Sequence, residues 1–312
     1  MRCVDVVLVN WNSGVQAKEA VESILASGSE DVSTISVVDN ASTDQSIEVI
    51  PMDDRIVVIK NTENVGFGTA CNTGTRLGSG ELILLLNPDT RVESDTISRA
   101  VAFLNSTEGK AYAACGIKLH DENDKVQRHC ARIPDLRTLI GEATGLSSLV
   151  PRIFPPIIMA EFDHLTSRDV PHVIGAFYMV RRSVFEAVGG FDEDFFVYFE
   201  DLDLSKRIQD TGGRIRYRPE IQCFHKGGGT SENIKAQRLA YSMEGRLRFA
   251  QKHLPKWQSK IVKVLMITVE PWVRRVHALA TLGLCGASEV NKGLKIFRQR
   301  RGAQSSANRC TQ

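Results

Sequence analysis

Apolar residues in the first part of the chain come in short runs, separated by stretches at helical spacing. Val4–Val9 reads as a buried strand, and Val15–Leu25 repeats Val15, Val21, Ile24 and Leu25 as one helical face. Ile35–Val38 predicts a second strand and Ser46–Ile50 a short helix. Ile56–Ile59 predicts a third strand, Phe67–Leu77 a helix, and Leu82–Leu86 a strongly apolar fourth strand. Strands alternating with helical stretches imply parallel pairing through right-handed crossovers, and hence an α/β sandwich. Ligands of such sheets bind beyond the carboxyl ends of the strands. The distinctive polar segments fall there: Asn10-Trp11-Asn12-Ser13, Asp39-Asn40-Ala41-Ser42 and Asn87-Pro88-Asp89.

Further on the pattern changes. Between Ile117 and Val170 no element stands out, and Pro134, Pro151, Pro155, Pro156 and Pro171 break any long one, so a mobile loop region is expected. Val173–Val180 predicts a strand and Glu200–Ile208 a helix. After Ile261 apolar residues recur at three- and four-residue spacing (Ile261, Leu265, Trp272, Val276, Leu279). Lys263, Glu270, Arg274 and Arg275 interrupt them, and Pro271 is expected to kink the helix. Beyond Glu289 no acid remains, while Lys292, Lys295, Arg298, Arg300 and Arg301 follow.

Composition narrows the class. A length of 312 residues suits one α/β domain with an appended segment, or two small domains. With 24% charged and 42% apolar residues, the chain has the make-up of a soluble globular protein. Lys plus Arg number 39 against 37 Asp plus Glu, a formal net charge of +2, which argues against a nucleic-acid partner. The 7 cysteines are odd in number and scattered, without a C-x-x-C pair. They read as reduced thiols of a cytoplasmic protein rather than a disulfide framework or a zinc ribbon. Met1–Asp5 does not read as a signal peptide, and no apolar run is long enough to span a bilayer.

Several residues could carry chemistry. The first strand is not followed by G-x-G-x-x-G. Gly66-Phe67-Gly68 comes later with Cys71 at the third glycine position, which does not support a nicotinamide enzyme. Asp39 can accept a hydrogen bond from a pyrimidine N–H or a ribose hydroxyl, or serve as a turn residue. Asp89, directly after the most apolar strand, is placed to hold a hard divalent cation, or to close a turn. A helix starting near Glu200 puts Asp201, Leu204 and Ile208 on one face. Leu204 and Ile208 then face inward and carry Asp201 with them, a candidate general base among aromatics. Glu200 fits a helix-start or packing role, and Asp203 with Arg207 an exposed ion pair. His225, before Lys226-Gly227-Gly228-Gly229, is either a satisfied structural histidine or a metal ligand.

Taken in order, these segments resemble the family 2 glycosyltransferases, in particular their bacterial rhamnosyltransferase-like branch. The match is carried by Val9-Asn10-Trp11-Asn12-Ser13, Val38-Asp39-Asn40-Ala41-Ser42-Thr43-Asp44, and Asn64-Val65-Gly66-Phe67-Gly68 with Ala70, Asn72 and Gly74. It continues through Leu85-Leu86-Asn87-Pro88-Asp89, Gly175-Ala176-Phe177, Gly190-Phe191-Asp192-Glu193 and Glu200-Asp201-Leu202-Asp203-Leu204. The resemblance implies a GT-A fold: a mostly parallel sheet flanked by helices, followed by a C-terminal helical extension. On that reading residues 1–115 form the nucleotide-sugar-binding half, 116–230 the acceptor-binding and catalytic half, and 231–312 the extension with its basic tail. The resemblance implies an inverting transfer from a dTDP- or UDP-sugar, with L-rhamnose from dTDP-L-rhamnose favoured over galactose or glucose. The acceptor it implies is a cell-surface polysaccharide or its lipid-linked precursor. Asp39 would meet the pyrimidine, with Asn10, Trp11, Asn64, Gly66 and Asn87 in the donor site. Asp89 would be the metal-binding acid, Asp201 the catalytic base, and His225 the residue completing a Mg2+ or Mn2+ site. Asn87 stands where the family's metal motif has its first acid. The basic amphipathic tail fits docking at the inner face of the plasma membrane, or packing against the main domain or in a homodimer. A nucleotidyltransferase would need a Gly- and Lys/Arg-rich loop where Asn10-Trp11-Asn12-Ser13-Gly14 stands. A non-catalytic assembly subunit would have no need of Asp39, Asp89 and Asp201 together.

Overall fold

The computed structural model describes residues 3–227 and 234–310. By internal contacts the chain divides into two compact units. One comprises Met1–Ile133, Ile158–Phe196 and Glu200–Thr230, the other Pro134–Ile157, Val197–Phe199 and Ser231–Gln312. Pro134–Ile157 thus groups with the C-terminal helices.

The first unit is built on one sheet. Strands β1 (Val4–Asn10), β2 (Val32–Asp39), β3 (Ile56–Lys60) and β4 (Leu82–Leu86) are joined by helices α1 (Gln16–Ala26) and α2 (Phe67–Thr75). They pair in parallel, with Asn10 beside Asp39 and Leu8 beside Leu86, so their carboxyl ends are level. After β5 (Thr90–Val92), α3 (Thr96–Asn105) and β6 (Ala114–His120) the sheet becomes mixed. In the second unit follow α4 (Leu136–Thr144) and α5 (Leu146–Leu149). The sheet unit resumes with β7 (Arg168–Asp169), β8 (Phe177–Arg181), α6 (Arg182–Ala187), α7 (Glu200–Asp210) and β9 (Ile215–His225). β8 runs antiparallel to β4, and β5 antiparallel to β9, in the order β3-β2-β1-β4-β8-β6-β9-β5 with β7 on β9. The central strands β1 and β4 are buried at every position, and apolar at all but Asp5 and Asn10, because both faces are covered. Val6, Leu8, Leu82, Leu84 and Leu86 enter one core with Val21, Ile24 and Ile97. Val7, Val9, Ile83 and Leu85 enter the other with Phe191, Leu204 and Ile208.

Several expectations are corrected. Ser46–Ile50 is a turn, not a helix: the Ser46 N–H donates to Asp44 Oδ1 at 3.1 Å, an Asx-type contact that competes with helical bonding. The 117–170 stretch holds a helix, α4, whose start Asp135 caps by accepting the Thr138 N–H at 2.8 Å. The strand expected from Val173 begins only at Phe177. Asp203 and Arg207 do pair at 2.8 Å, but Asp203 is fully buried rather than exposed.

In the second unit α8 (Lys235–His253), α9 (Lys256–Thr268) and α10 (Glu270–Cys310) pack with α4 around Leu139, Ala240, Met243, Val262, Met266, Leu294 and Phe297. Pro271 does not kink a helix. It sits in the first turn of α10, where a missing N–H costs nothing, and the real break in α10 is at Gly283, at φ 66°.

A buried ion pair ties β1 to α6. Asp5, with no exposed surface, receives Arg182 Nη2 at 2.6 Å and the Gly80 N–H at 2.7 Å. Arg182 also donates to the carbonyls of Gly80 and Thr75, at 2.6 and 3.0 Å. Removing one partner of such a pair strands the other charge. Arg182→Met is therefore expected to lower unfolding stability by about 3–5 kcal/mol, read as a fall in the urea midpoint with little change in slope.

Candidate active site

Three strand ends form the floor of the site. Asn10 closes β1 and is fully buried. Its Nδ2 lies 2.8 Å from Asp39 Oδ1, 3.0 Å from Ser42 Oγ and 2.9 Å from Ser46 Oγ, while Ser13 donates to its Oδ1. Asn10 therefore braces the end of β2 from within. Asp39, 4% exposed, also accepts the Ser42 hydroxyl at 2.5 Å. Asn12 accepts the Thr43 N–H at 2.7 Å, and both Asn12 and Ala41 take the left-handed backbone, at φ 49° and 59°. Such conformations cost energy and persist where the surroundings over-determine them. Trp11 is half-buried at the same bend.

The loop before α2 closes this floor. Asn64 Oδ1 accepts the Gly66 N–H at 3.0 Å, and Asn40 donates to the Gly66 carbonyl at 3.0 Å. Gly66 sits at φ 91°, and a Cβ there would lie 2.4 Å from the Phe196 carbonyl oxygen, so only glycine fits. The next residue, Phe67, donates its N–H to that same oxygen at 2.8 Å.

Asp89 and His225 meet although they are far apart in sequence. The antiparallel ladder pairs Thr90 with His225, and the Lys226 N–H bonds the Asp89 carbonyl at 3.0 Å. His225 Nε2 then stands 3.4 Å from Asp89 Oδ1, both side chains being less than a tenth exposed. Gln127 orients the ring. Its Nε2 donates to the His225 carbonyl at 2.7 Å, so its Oε1 must accept the Nδ1–H at 2.7 Å. In the neutral ring that leaves the Nε2 lone pair toward Asp89, the second-shell arrangement of a metal-ligating histidine. Among the described residues no three His, Cys, Asp or Glu side chains gather as a ready metal cage. A two-residue set with room for phosphate oxygens fits a hard cation that keeps several non-protein ligands. Beside Asp89 opens a cleft of about 300 Å³ lined by Gln16, Glu19, Arg91, Glu122, Phe224 and Lys226. Of the glycines after Lys226, Gly228 and Gly229 lie outside the described residues.

Asp201 comes from the start of α7, with Leu204 and Ile208 fully buried on its face as the spacing predicts. Its Oδ2 accepts the Gly175 N–H at 3.2 Å. The neighbouring Ala176 carbonyl accepts the Asn87 N–H and the Thr90 hydroxyl, both at 3.3 Å. One short backbone segment thus ties Asp201 to the turn that carries Asp89. Behind it, His172 Nε2 is 3.6 Å from Asp201 Oδ2, and His172 Nδ1 is 2.8 Å from Ser205 Oγ, which contacts the Tyr178 hydroxyl at 3.1 Å. Burial lowers the His172 pKa, so the ring is a neutral support. The two residues before α7, Tyr198 and Phe199, have φ of 68° and 72°, strain that neither side chain favours. The sequence reading missed Gln127 and His172. Gln127 is a lone polar residue in the stretch that shows no periodicity and His172 one just beyond it, and only the partner across the fold reveals the role of each.

Residues 5–189 match the family model described as Glycosyl transferase family 2. Over 271 residues the chain is 27% identical to the N-acetylglucosaminyl-diphospho-decaprenol L-rhamnosyltransferase of Mycobacterium tuberculosis, covering 82% of this chain and 87% of that protein. It is 27% identical over 176 residues to a rhamnosyltransferase of Escherichia coli K12, covering 56% of this chain and 63% of that one. Among solved structures, the mannosyltransferase from Pyrobaculum calidifontis, in complex with GDP-Man and Mn2+, superposes with a TM-score of 0.54 at 18% identity. That match covers 97% of this chain and 84% of the other. The shared architecture is the GT-A fold.

Glu200 and Asp201 are adjacent acids in unlike surroundings. Glu200 is 5% exposed and its Oε2 has no hydrogen-bond partner. Burial, and beside it the Asp201 charge, push the Glu200 carboxyl well above its ordinary value of 4.5. As pH rises past 4.5 the unfolded chain ionises at this residue while the native chain stays protonated, so stability falls until the folded pKa is passed. Glu200→Gln removes that loss. It is expected to raise the urea midpoint at pH ~7.5, flattening a slope of at most about 1.4 kcal/mol per pH unit, and to keep turnover. An unchanged slope, or lost turnover with intact folding, would mean that the Glu200 carboxylate itself has a role.

Proposed function

Because the chain belongs to glycosyl transferase family 2, a family of glycosyltransferases, we propose that it moves a sugar from a nucleotide-sugar donor onto an acceptor hydroxyl with inversion at the anomeric carbon. The observation that carries this reading is the tie through Gly175-Ala176 that holds Asp201 against the turn bearing Asp89, with His225 facing that acid. Asp39 receives the base or ribose of a dTDP- or UDP-linked donor, positioned by Asn10, with Trp11, Asn64, Gly66 and Asn87 completing the donor side. Asp89 and His225 would hold Mg2+ or Mn2+, whose charge offsets that developing on the departing diphosphate. Asp201 takes the proton of the acceptor hydroxyl as that oxygen bonds the anomeric carbon and the bond to the diphosphate breaks. No covalent enzyme intermediate is needed. Proton removal of this kind contributes about 10²- to 10⁴-fold.

The rhamnosyltransferase activities of the mycobacterial and Escherichia coli relatives favour L-rhamnose from dTDP-L-rhamnose. They also favour a lipid-linked or polysaccharide precursor as acceptor. The protein would then work from the cytoplasmic side at a membrane face, through its C-terminal extension and as a homodimer or alone. A UDP-hexose donor is the competing reading. The division of the sheet domain into a donor half up to residue 115 and an acceptor half from 116 to 230 belongs to the same proposal.

Calorimetry with dTDP-rhamnose, UDP-glucose and UDP-galactose, with and without Mn2+, is the direct test. One donor is expected to bind, more tightly with the metal. Asp89→Ala should lose the metal-dependent part of that affinity. Asp201→Asn should keep donor affinity while transfer falls by roughly 10²-fold or more. Wild-type transfer by Asp201→Asn, or donor affinity indifferent to both metal and Asp89, would overturn these assignments.

A further inference from the structure

The helical extension carries a feature that sugar transfer does not use. At Gly283 the backbone of α10 leaves the helix, at φ 66° and ψ −158°. Arg275 Nε and Asn291 Oδ1, at equal distances along the chain on either side of the break, bond at 2.7 Å. The two stretches therefore run side by side as a helical hairpin with Gly283 at its tip. The turn is tight: a Cβ on Gly286 would lie 2.4 Å from Leu282 Cβ.

The tip is apolar and bare. No charged residue occurs from Ala278 to Ser288. Leu279, Leu282 and Leu284 are 50%, 69% and 82% exposed. A second exposed apolar stripe runs down the helices that lead to it, through Trp257, Ile261, Val264, Trp272 and Val276. Isolated exposed leucines need no explanation, but a run of them on a protruding turn does.

Charge decides what covers it. Between Lys252 and Glu289 the only acid is Glu270. That acid is fully buried, held by Arg246 and by Arg274 at 2.7 Å. From Lys252 to Ser288 the exposed charges are thus all basic: Lys252, Lys256, Lys260, Lys263 and, when protonated, His277, while Glu289, just past the tip, is paired with Lys292 at 2.6 Å. Exposed tryptophans beside lysines, above an uncharged leucine tip, match the interfacial zone of a bilayer, with aromatic rings at headgroup depth. No helix among the described residues is long and apolar enough to cross a membrane, so the tip can enter one leaflet but not span both.

We propose that this hairpin tip inserts into the outer part of an anionic phospholipid leaflet, with Trp272 and Trp257 at headgroup level and the lysines against lipid phosphates. This rests on the reading that the acceptor is lipid-linked, and it names the surface by which the chain reaches it.

The test uses the full chain, vesicles of phosphatidylcholine alone or mixed with phosphatidylglycerol, and the double variant Leu282→Glu/Leu284→Glu. Wild type is expected to co-sediment with the anionic vesicles, and the variant to lose roughly tenfold or more of that partitioning while binding the nucleotide-sugar donor unchanged. Unchanged donor binding shows that the variant is folded and separates this proposal from the catalytic one. Cys285, a free and exposed cysteine at the tip, can carry an environment-sensitive dye once Cys3 and Cys310 are replaced by serine. A blue shift on vesicle addition supports insertion. A wild type that stays in the supernatant, a variant that sediments equally, or a dye that stays in water while the protein sediments would overturn the proposal. So would self-association, by light scattering, that the variant abolishes while vesicles have no effect, because the occupant would then be a second copy of the chain.

Discussion

The site depends on one strand pairing, the antiparallel ladder between β5 and β9. β5 is only three residues long, and it follows directly after the turn that carries Asp89. Its partner is the last stretch of β9, which ends at His225. Without this ladder the acid would lie at the end of a parallel strand with no nitrogen ligand near it. With it, Nε2 of His225 lies 3.4 Å from the carboxylate, and Gln127 sets the ring by bonding both its Nδ1 and its backbone carbonyl. Backbone pairing is rigid in a way that two long side chains are not. Side chains carried on such a ladder have little conformational entropy left to lose.

The parallel half of the sheet shows the same economy by other means. Asn10 and Asp39 are register partners on adjacent strands, so their side chains emerge together. A buried polar group needs partners, and the Asn10 amide finds Asp39, Ser42 and Ser46 within 3.0 Å. The order of the loop after β2 is therefore coupled to the end of β1. Ligand binding at Asp39 would meet a preformed surface rather than a loop still to be ordered.

What the sequence revealed follows from how local its causes are. The apolar runs at Val4–Val9 and Leu82–Leu86 sit between covered faces, so their strands could be read from hydrophobicity alone. The helix spacing from Asp201 to Ile208 was equally local. Ser46–Ile50 misled because its polar residues satisfy the backbone in a turn, which a count of helical positions does not register. The antiparallel strands β5, β8 and β9 were less legible, since nothing within Thr90–Val92 announces a partner more than a hundred residues away. The helix from Leu136 was hidden among prolines that lie outside it, although Asp135 and Thr138 form a cap that could have been found. Gln127 and His172 had no local signal at all, because their meaning lies wholly in whom they touch.

At the start of α7 a single turn separates two acids by environment. Glu200 points into the packed layer near Gly68 and Cys71 and leaves one oxygen without a partner. Asp201, one residue on, keeps a fifth of its side-chain surface exposed and accepts the backbone N–H groups of Gly175 and Leu202. Two ionised carboxylates side by side repel each other, and burying one of them in its neutral form removes that repulsion. Of the two, Asp201 is the residue that has both donors and access to solvent. The left-handed backbone at Tyr198 and Phe199 turns the chain so that the helix begins with this pair in register. The strain is thus spent on aiming one carboxylate outward while its neighbour stays neutral within.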